Sequence, residues 1–88
     1  MKRNSDFMMQ EVAGVKVIVP VGAAVVDFPG MITVNDTGAY IWQLLETEQT
    51  VESLAAALLV RYEVTREQAV ADVEAFLAQL QPTGAVLS

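Results

Sequence analysis

The sequence predicts an α+β fold in which a three-stranded antiparallel β-meander precedes three α-helices. The 88 residues fall into two halves with different spacing of apolar residues. Before residue 35, β-branched residues stand in short runs bounded by Gly or Pro, which is typical of strands. After residue 35, apolar residues recur at helical spacing. A chain of this length can bury one modest core, so a single domain over residues 1–88 is expected.

The first half contains four candidate strands. They are Phe7–Val12, Val15–Val19, Ala24–Phe28 and Met31–Val34. Ala13 and Gly14 can turn the first hairpin, while Pro29 and Gly30 suit the centre of a type II turn. Only three of the four runs need to pair in one sheet. The polar residues 1–6 are expected to be frayed, and they lack the apolar core of a secretory signal.

The second half contains three amphipathic helices. Their predicted bounds are about residues 36–46, 51–62 and 66–80. Asn35 and Thr50 have side chains suited to the N-caps of the first two helices. Thr65 and Gln68 have the spacing of a capping box at the start of the third. This order of parts is that of a winged helix-turn-helix fold with its strands in front.

The composition argues against catalysis and metal binding. The chain has no Cys and no His, the side chains that supply most nucleophiles, general bases and zinc ligands near neutral pH. Its glycines are scattered singly, so no phosphate-binding loop is formed, and its acidic residues never take the spacing of a calcium loop. We therefore expect a binding protein that is not an enzyme and that needs no cofactor and no metal.

Charge and hydropathy narrow the class of partner. The net charge is −6 and the five basic residues are scattered, which disfavours a nucleic-acid partner. Apolar residues form 53% of the chain, yet no apolar run approaches the roughly 18 residues that a membrane span needs. No membrane partner is expected, and a cytoplasmic location follows by default. Either the core is dense in small residues or some apolar surface is reserved for a protein or peptide partner.

The run from Met31 to Leu45 resembles the central motif of the PqqD-like family, in which a strand ending in Leu-Asn leads into Thr-Gly and then Ile-Trp. Val34 is a departure, since Leu is more usual there. The stretches that carry the motif here are Val34-Asn35, Thr37-Gly38 and Ile41-Trp42. Further matching stretches are Thr50-Val51-Glu52-Ser53-Leu54, Tyr62-Glu63-Val64, and Asp72-Val73-Glu74-Ala75-Phe76-Leu77 with Leu80. The resemblance extends from Phe7 to Leu87.

The resemblance implies a peptide-binding adaptor. PqqD-like domains are recognition elements for ribosomally made, post-translationally modified peptides. The precursor's leader lies as an added strand against the third strand, beside the third helix, and the complex is presented to a maturase, often a radical-SAM iron–sulfur enzyme. Carried onto this sequence, the implied peptide-binding residues are Met31, Ile32, Thr33, Val34 and Asn35 on the strand and Val70, Val73, Glu74 and Leu77 on the helix. Periodicity alone favours plain core positions for Ile32, Val34, Val73 and Leu77.

The resemblance leaves several roles and partners open. The expected partners are a precursor leader peptide and a radical-SAM-type maturase, and an open strand edge also permits a homodimer. The peptide can belong to pyrroloquinoline quinone biosynthesis or to another peptide product. We favour the second, because the Val-Ile-Val-Pro and Asp-Phe-Pro-Gly-Met-Ile stretches are more similar to the broad PqqD-like group. A DNA-binding winged helix is disfavoured, because acidic residues on the third helix would repel phosphate.

Overall fold

The computed structural model describes residues 1–87, apart from the side chain of Asp27. The elements in chain order are strand β1 (Lys2–Arg3), strand β2 (Phe7–Val12), strand β3 (Val15–Pro20), helix α1 (Ala24–Asp27), strand β4 (Ile32–Val34), helix α2 (Asp36–Leu44), helix α3 (Val51–Arg61), helix α4 (Arg66–Leu80), a 3-10 turn (Gln81–Thr83) and strand β5 (Val86–Leu87). The predicted α+β class, with a three-stranded antiparallel sheet ahead of three long helices, is confirmed.

The main sheet has the strand order β2-β3-β4, and both pairings are antiparallel. The hairpin between β2 and β3 has a two-residue loop in which Ala13 has φ 51° and Gly14 has φ 81°. Positive φ at both central residues is what a type I′ turn requires. Strand β4 pairs with β3 through three residues only, and it forms one edge of the sheet.

The prediction of a strand at Ala24–Phe28 is wrong, because this segment forms the short helix α1. Its turn is closed by local bonds, in which the N–H of Val25 donates to the carbonyl of Gly22 at 3.3 Å and the N–H of Phe28 donates to Ala24 at 2.9 Å. The chain must reverse here to bring β4 back beside β3, and a helical turn makes that reversal. The predicted type II turn is also wrong, because Gly30 lacks the required positive φ.

The expectation of frayed residues 1–6 is wrong as well. Strand β1 pairs antiparallel with β5 in a separate two-stranded ladder. The backbone N–H of Arg3 donates to the carbonyl of Leu45 at 2.9 Å, and its guanidinium lies 5.6 Å from the ring centroid of Trp42. The short polar segment of residues 1–6 does not by itself predict a strand, because the strand with which it pairs lies at the other end of the chain.

Side-chain caps begin the three long helices. Asn35, Thr50 and Thr65 each accept a hydrogen bond from the backbone N–H three residues later, at 2.8, 3.0 and 3.1 Å. The capping box predicted for the third helix is only half formed, because the Gln68 amide donates to Asp72 at 2.7 Å instead of reaching back. Helices α2 and α3 end one or two residues before the predicted bounds.

The core lies between the inner face of the sheet and the three long helices. Its largest fully buried side chains are Trp42, Ile18, Ile41, Leu45, Leu54, Leu58, Leu80 and Val73. Among the residues that the structure describes, no polar or charged side chain is buried. No helix within residues 1–87 is both long and apolar enough to cross a bilayer.

Candidate functional site

A groove of about 500 Å³ lies where β4 ends, α2 begins and α4 passes beside them. Its lining residues are Thr33, Val34, Asn35, Thr37, Gly38, Ile41, Asp72, Ala75, Phe76 and Gln79. The apolar side chains Val34, Ile41 and Phe76 are almost fully buried, so only their outer edges face the groove. The remaining lining side chains are mostly polar and stand at the rim. An apolar floor with a polar rim suits an apolar side chain carried on a polar backbone.

The outer edge of β4 borders this groove. Just beyond the paired ends of β2 and β3, the N–H of Val21 donates to the carbonyl of Asp6 at 2.7 Å, so the backbone of Val21 bonds toward β2. Bonding direction alternates along an antiparallel strand, so residues at even positions of β3 bond in the other direction. Lys16 and Ile18 therefore face β4 and bond its two end residues. The N–H and C=O of the middle residue, Thr33, therefore point away from the sheet. No other backbone hydrogen bond of Thr33 is formed within residues 1–87, so this edge is open.

Gly38 shapes the floor of the groove. A Cβ atom at this position would lie 2.9 Å from Cε1 of Phe76, closer than side-chain atoms pack. The missing side chain lets the Phe76 ring rest against the first turn of α2. The N–H of Gly38 also donates to the Asn35 side chain at 2.8 Å, so the cap holds the same turn in place. The Asn-x-x-Gly spacing therefore serves both the helix start and the groove.

The structure brings three of the five predicted strand residues to the groove. Thr33, Val34 and Asn35 line it. Ile32 is directed into the core and is buried. Met31 is 60% exposed just before β4 and does not line the groove. The open backbone edge therefore coincides with the central part of the predicted segment.

The four helix residues predicted from the sequence lie elsewhere on α4. Val73 and Leu77 are buried in the core, Val70 is half-buried against it, and Glu74 is exposed. The α4 residues that do line the groove are Asp72, Ala75, Phe76 and Gln79. Contact of any of the nine predicted residues with a peptide stays a prediction.

Helical spacing explains the difference. At about 100° per residue, the spacing i, i+3, i+4 and i+7 from Asp72 to Gln79 defines one face of α4. Val70 and Glu74 lie on the opposite face. The groove face mixes charged, small, aromatic and amide side chains, so it does not stand out as an apolar stripe. The sequence shows that these four residues share one face of α4, but it does not show that this face lies beside β4.

Asp72 is the one ionisable residue among those that line the groove. Its side chain is half-buried and accepts a hydrogen bond from the Gln68 amide at 2.7 Å. A carboxylate beside an apolar floor favours a ligand that carries a cation next to an apolar group. Of the other acidic residues on α4, Glu67 and Glu74, neither lines the groove.

Comparison with known proteins agrees with this architecture. The family described as Coenzyme PQQ synthesis protein D (PqqD) matches residues 20–86. A solved structure described as TbiB1 in complex with the TbiA(beta) leader peptide is similar, with a TM-score of 0.74 and 21% identity over 97% of this chain and 93% of that chain. Lasso peptide synthetase B1 complexed with the leader peptide gives a TM-score of 0.74 and 23% identity over 99% of this chain and 96% of that chain. A search of curated proteins finds no match.

These comparisons differ in what they establish. At this level of identity, the two solved structures establish the fold alone. The family match is more specific, because it covers most of the chain and includes β4, the groove and the whole of α4. The resemblance found in the sequence is therefore confirmed, and the chain belongs to the PqqD family.

Proposed function

We propose that this chain is an adaptor that binds the leader of a ribosomally made precursor peptide and holds it for a modifying enzyme. The observation that carries the proposal is the open edge of β4 at Thr33, which borders a groove with an apolar floor. An extended peptide can add to such an edge as the next strand. Its role is binding and presentation, with the chemistry left to the partner.

Backbone hydrogen bonds would provide general affinity for a peptide, and side-chain contacts in the groove would provide specificity. The N–H and C=O of Thr33 bond the backbone of any extended peptide, which provides affinity without sequence preference. Side chains that alternate along the guest strand point toward the floor formed by Val34, Ile41 and Phe76. Two buried apolar side chains gain about 1.5–3 kcal/mol each, and ordering the peptide offsets part of this gain. We expect a dissociation constant near micromolar or somewhat tighter, which corresponds to a binding free energy on the order of −8 kcal/mol.

The two similar structures support a leader as the ligand, since each is described as a complex with a leader peptide. We further propose a radical-SAM-type maturase as the receiving enzyme, which the family resemblance implies. A lasso-peptide pathway is the second candidate, because a protein described as lasso peptide synthetase B1 matches this chain over nearly the full length of both. Pyrroloquinoline quinone biosynthesis, from which the family takes its description, is a third.

The test is a titration of ¹⁵N-labelled protein with the N-terminal segment of the small precursor encoded beside its gene. We expect the largest amide shifts at residues 31–35 and 72–79, with much smaller shifts from a scrambled peptide of the same composition, which keeps the backbone bonds but not the side-chain contacts. A duplex DNA oligonucleotide should leave the spectrum unchanged, because the protein carries a net charge of −6. Leader-induced shifts confined to other residues would contradict the proposal.

The same edge also permits a homodimer, in which β4 of one copy takes the place of the guest strand. Leader and second copy would then compete for Thr33. Light scattering with and without the leader tests this: a dimer that dissociates as leader is added is the expected result if the edge is shared. A dimer that persists when leader is bound would place the dimer interface away from β4, and a monomer at all concentrations would exclude the homodimer.

A further inference from the structure

A second depression, of about 390 Å³, lies on the side of α2 that faces away from the groove. Its lining residues are Lys16, Asp36, Ala39, Tyr40, Gln43, Arg61 and Tyr62. We refer to Lys16, Tyr40, Arg61 and Tyr62 as the Arg61 site. The α2 residues that line the groove and those that line the Arg61 site lie on nearly opposite faces of the helix. A ligand in one can therefore be present together with a ligand in the other.

Two aromatic rings hold the Arg61 guanidinium in place. Its central carbon lies 4.4 Å from the ring centroid of Tyr40 and 5.9 Å from that of Tyr62. The two rings meet edge to face, with their centroids 6.2 Å apart. Stacking of this kind restricts the long side chain but leaves the in-plane N–H groups of the guanidinium available. A cation held in this way loses less freedom when it binds an anion.

Donors outnumber acceptors at this site. Within residues 1–87, Arg61 forms no salt bridge, and neither its guanidinium nor the hydroxyl groups of Tyr40 and Tyr62 have a hydrogen-bond partner. Lys16 pairs at 3.4 Å with Asp36, whose carboxylate also lines the depression. The Asp36 side chain is 90% exposed and that of Lys16 is 39% exposed, so the pair contributes little. Several unpaired donors that converge on one depression suit a ligand made of acceptors.

We propose that the Arg61 site binds carboxylate groups of an acidic segment of the modifying enzyme that receives the peptide. A protein partner is chosen because the chain carries a net charge of −6, whereas this depression is lined by two of its five basic residues and by one acidic residue, Asp36. An acidic segment would find attraction at this place and repulsion over most of the remaining surface. That the partner is the modifying enzyme rests on the proposed function of the groove.

The first experiment uses a defined probe. Acetyl-hexaglutamate-amide is titrated into ¹⁵N-labelled protein at low salt, with acetyl-hexaglutamine-amide as the uncharged control. We expect shifts at Tyr40, Arg61 and Tyr62 with the glutamate peptide only. These shifts should be lost in Arg61→Gln and kept in Arg66→Gln, a matched control in which an exposed arginine at a neighbouring helix end loses the same charge. Equal shifts in both variants, or none in the wild type, would overturn the site.

The second experiment measures the affinity of the purified modifying enzyme encoded beside the precursor gene. We expect Arg61→Gln to weaken it at least tenfold and Arg66→Gln to leave it within twofold. Leader affinity should be the same in all three proteins. Unchanged enzyme affinity in Arg61→Gln would overturn the inference even if the leader binds normally. Normal enzyme docking without leader binding would instead contradict the proposed function and leave the Arg61 site intact.

Discussion

At the scale of single residues, two positions carry backbone constraints that their neighbours do not. Gly38 lets two helices approach where the groove has its floor. Ala13 occupies a left-handed conformation, with φ 51°, in the hairpin loop. The first position has no room for a Cβ atom, whereas the second has a Cβ atom in a conformation that disfavours it. Each makes a prediction that needs no knowledge of the ligand.

Gly38→Ala should lower the free energy of unfolding by about 1–3 kcal/mol, because the Phe76 ring must move away from the new methyl group. The matched control is Gly30→Ala, since a Cβ atom there would lie 3.4 Å from the Phe28 ring, which is an ordinary contact. Thermal unfolding of both variants measures the difference. Equal melting temperatures would show that Phe76 adjusts freely. If the groove binds a leader, Gly38→Ala should also weaken that binding, because the displaced Phe76 ring is part of the groove floor.

Ala13→Asn should stabilise the protein by up to about 1 kcal/mol, because Asn tolerates positive φ better than Ala and Asn-Gly favours a type I′ turn. Ala13→Val should have the opposite effect, since a β-branched residue is strained in this conformation. The side chain is exposed, so neither change alters core packing. A shift of melting temperature of about 4–8 °C per kcal/mol is expected for a domain of this size. Unfolding curves that rank Val above Asn would contradict the turn assignment.

At the scale of elements, the site depends on one short strand and on the rotation of one helix. Strand β4 uses the backbone of its end residues for the sheet and leaves that of Thr33 free. Helix α4 buries one face in the core and presents a neighbouring face to the groove. Substitutions can therefore separate the contribution of each element to folding from its contribution to binding.

Thr33→Pro should weaken strand addition while leaving the pairing between β3 and β4 intact, because Pro removes an N–H that the sheet does not use but that the guest strand would bond. Val34→Pro should be far more destabilising, since the N–H of Val34 bonds to β3. We expect Thr33→Pro to weaken leader binding about tenfold, the equivalent of roughly 1.4 kcal/mol, with a smaller loss of melting temperature than Val34→Pro. Calorimetry and thermal unfolding give the two quantities. Undiminished leader affinity in Thr33→Pro would exclude this edge.

Ala75→Asp and Val70→Asp distinguish the groove in the structure from the helix face predicted from the sequence. Ala75 lines the groove, so a charge there should weaken leader binding about tenfold or more, because burying it beneath the peptide costs several kcal/mol. Val70 lies on the opposite face, where the groove geometry predicts little effect on binding. The sequence-based prediction requires the reverse order. Titration of each variant with the leader decides between them.

At the scale of the whole molecule, charge governs which partners approach. A protein with a net charge of −6 repels acidic partners except where its cations gather, as at the Arg61 site. The groove carries the charge of Asp72 and no cation among its lining residues. The two sites are therefore suited to ligands of opposite charge on opposite sides of α2.

A leader with Lys or Arg in its docking segment should bind less tightly as salt rises from about 0.01 to 0.15 M, where the screening length falls from about 30 to 8 Å. Asp72→Asn should remove most of this dependence, whereas Glu74→Gln, which changes the same charge on the far face of α4, should retain it. Affinity is measured across a salt series for the three proteins. A flat response in the wild type would exclude electrostatic attraction between the leader and Asp72.

Local patterns predicted most of the elements correctly. The three long helices begin at caps that the sequence shows, and a two-residue turn at Ala13-Gly14 closes the hairpin as predicted. The errors arise where residues distant in the sequence determine the local structure. Val25 and Val26 favour a strand, but the connection to β4 needs a reversal and a helical turn forms there. Residues 2–3 form a strand because the other end of the chain supplies the partner.

The sequence by itself determined the three strands of the main sheet, the three long helices, their order and the family, because these follow from spacing and from motifs that are continuous along the chain. Only the tertiary structure decided which face of α4 meets the open edge of β4. The physical reason is that a 3.6-residue period marks the face that is buried and not the face beside it. A groove forms at the boundary between core and solvent, and its position depends on how closely α2 and α4 approach, a distance set here by the contact of Gly38 with Phe76.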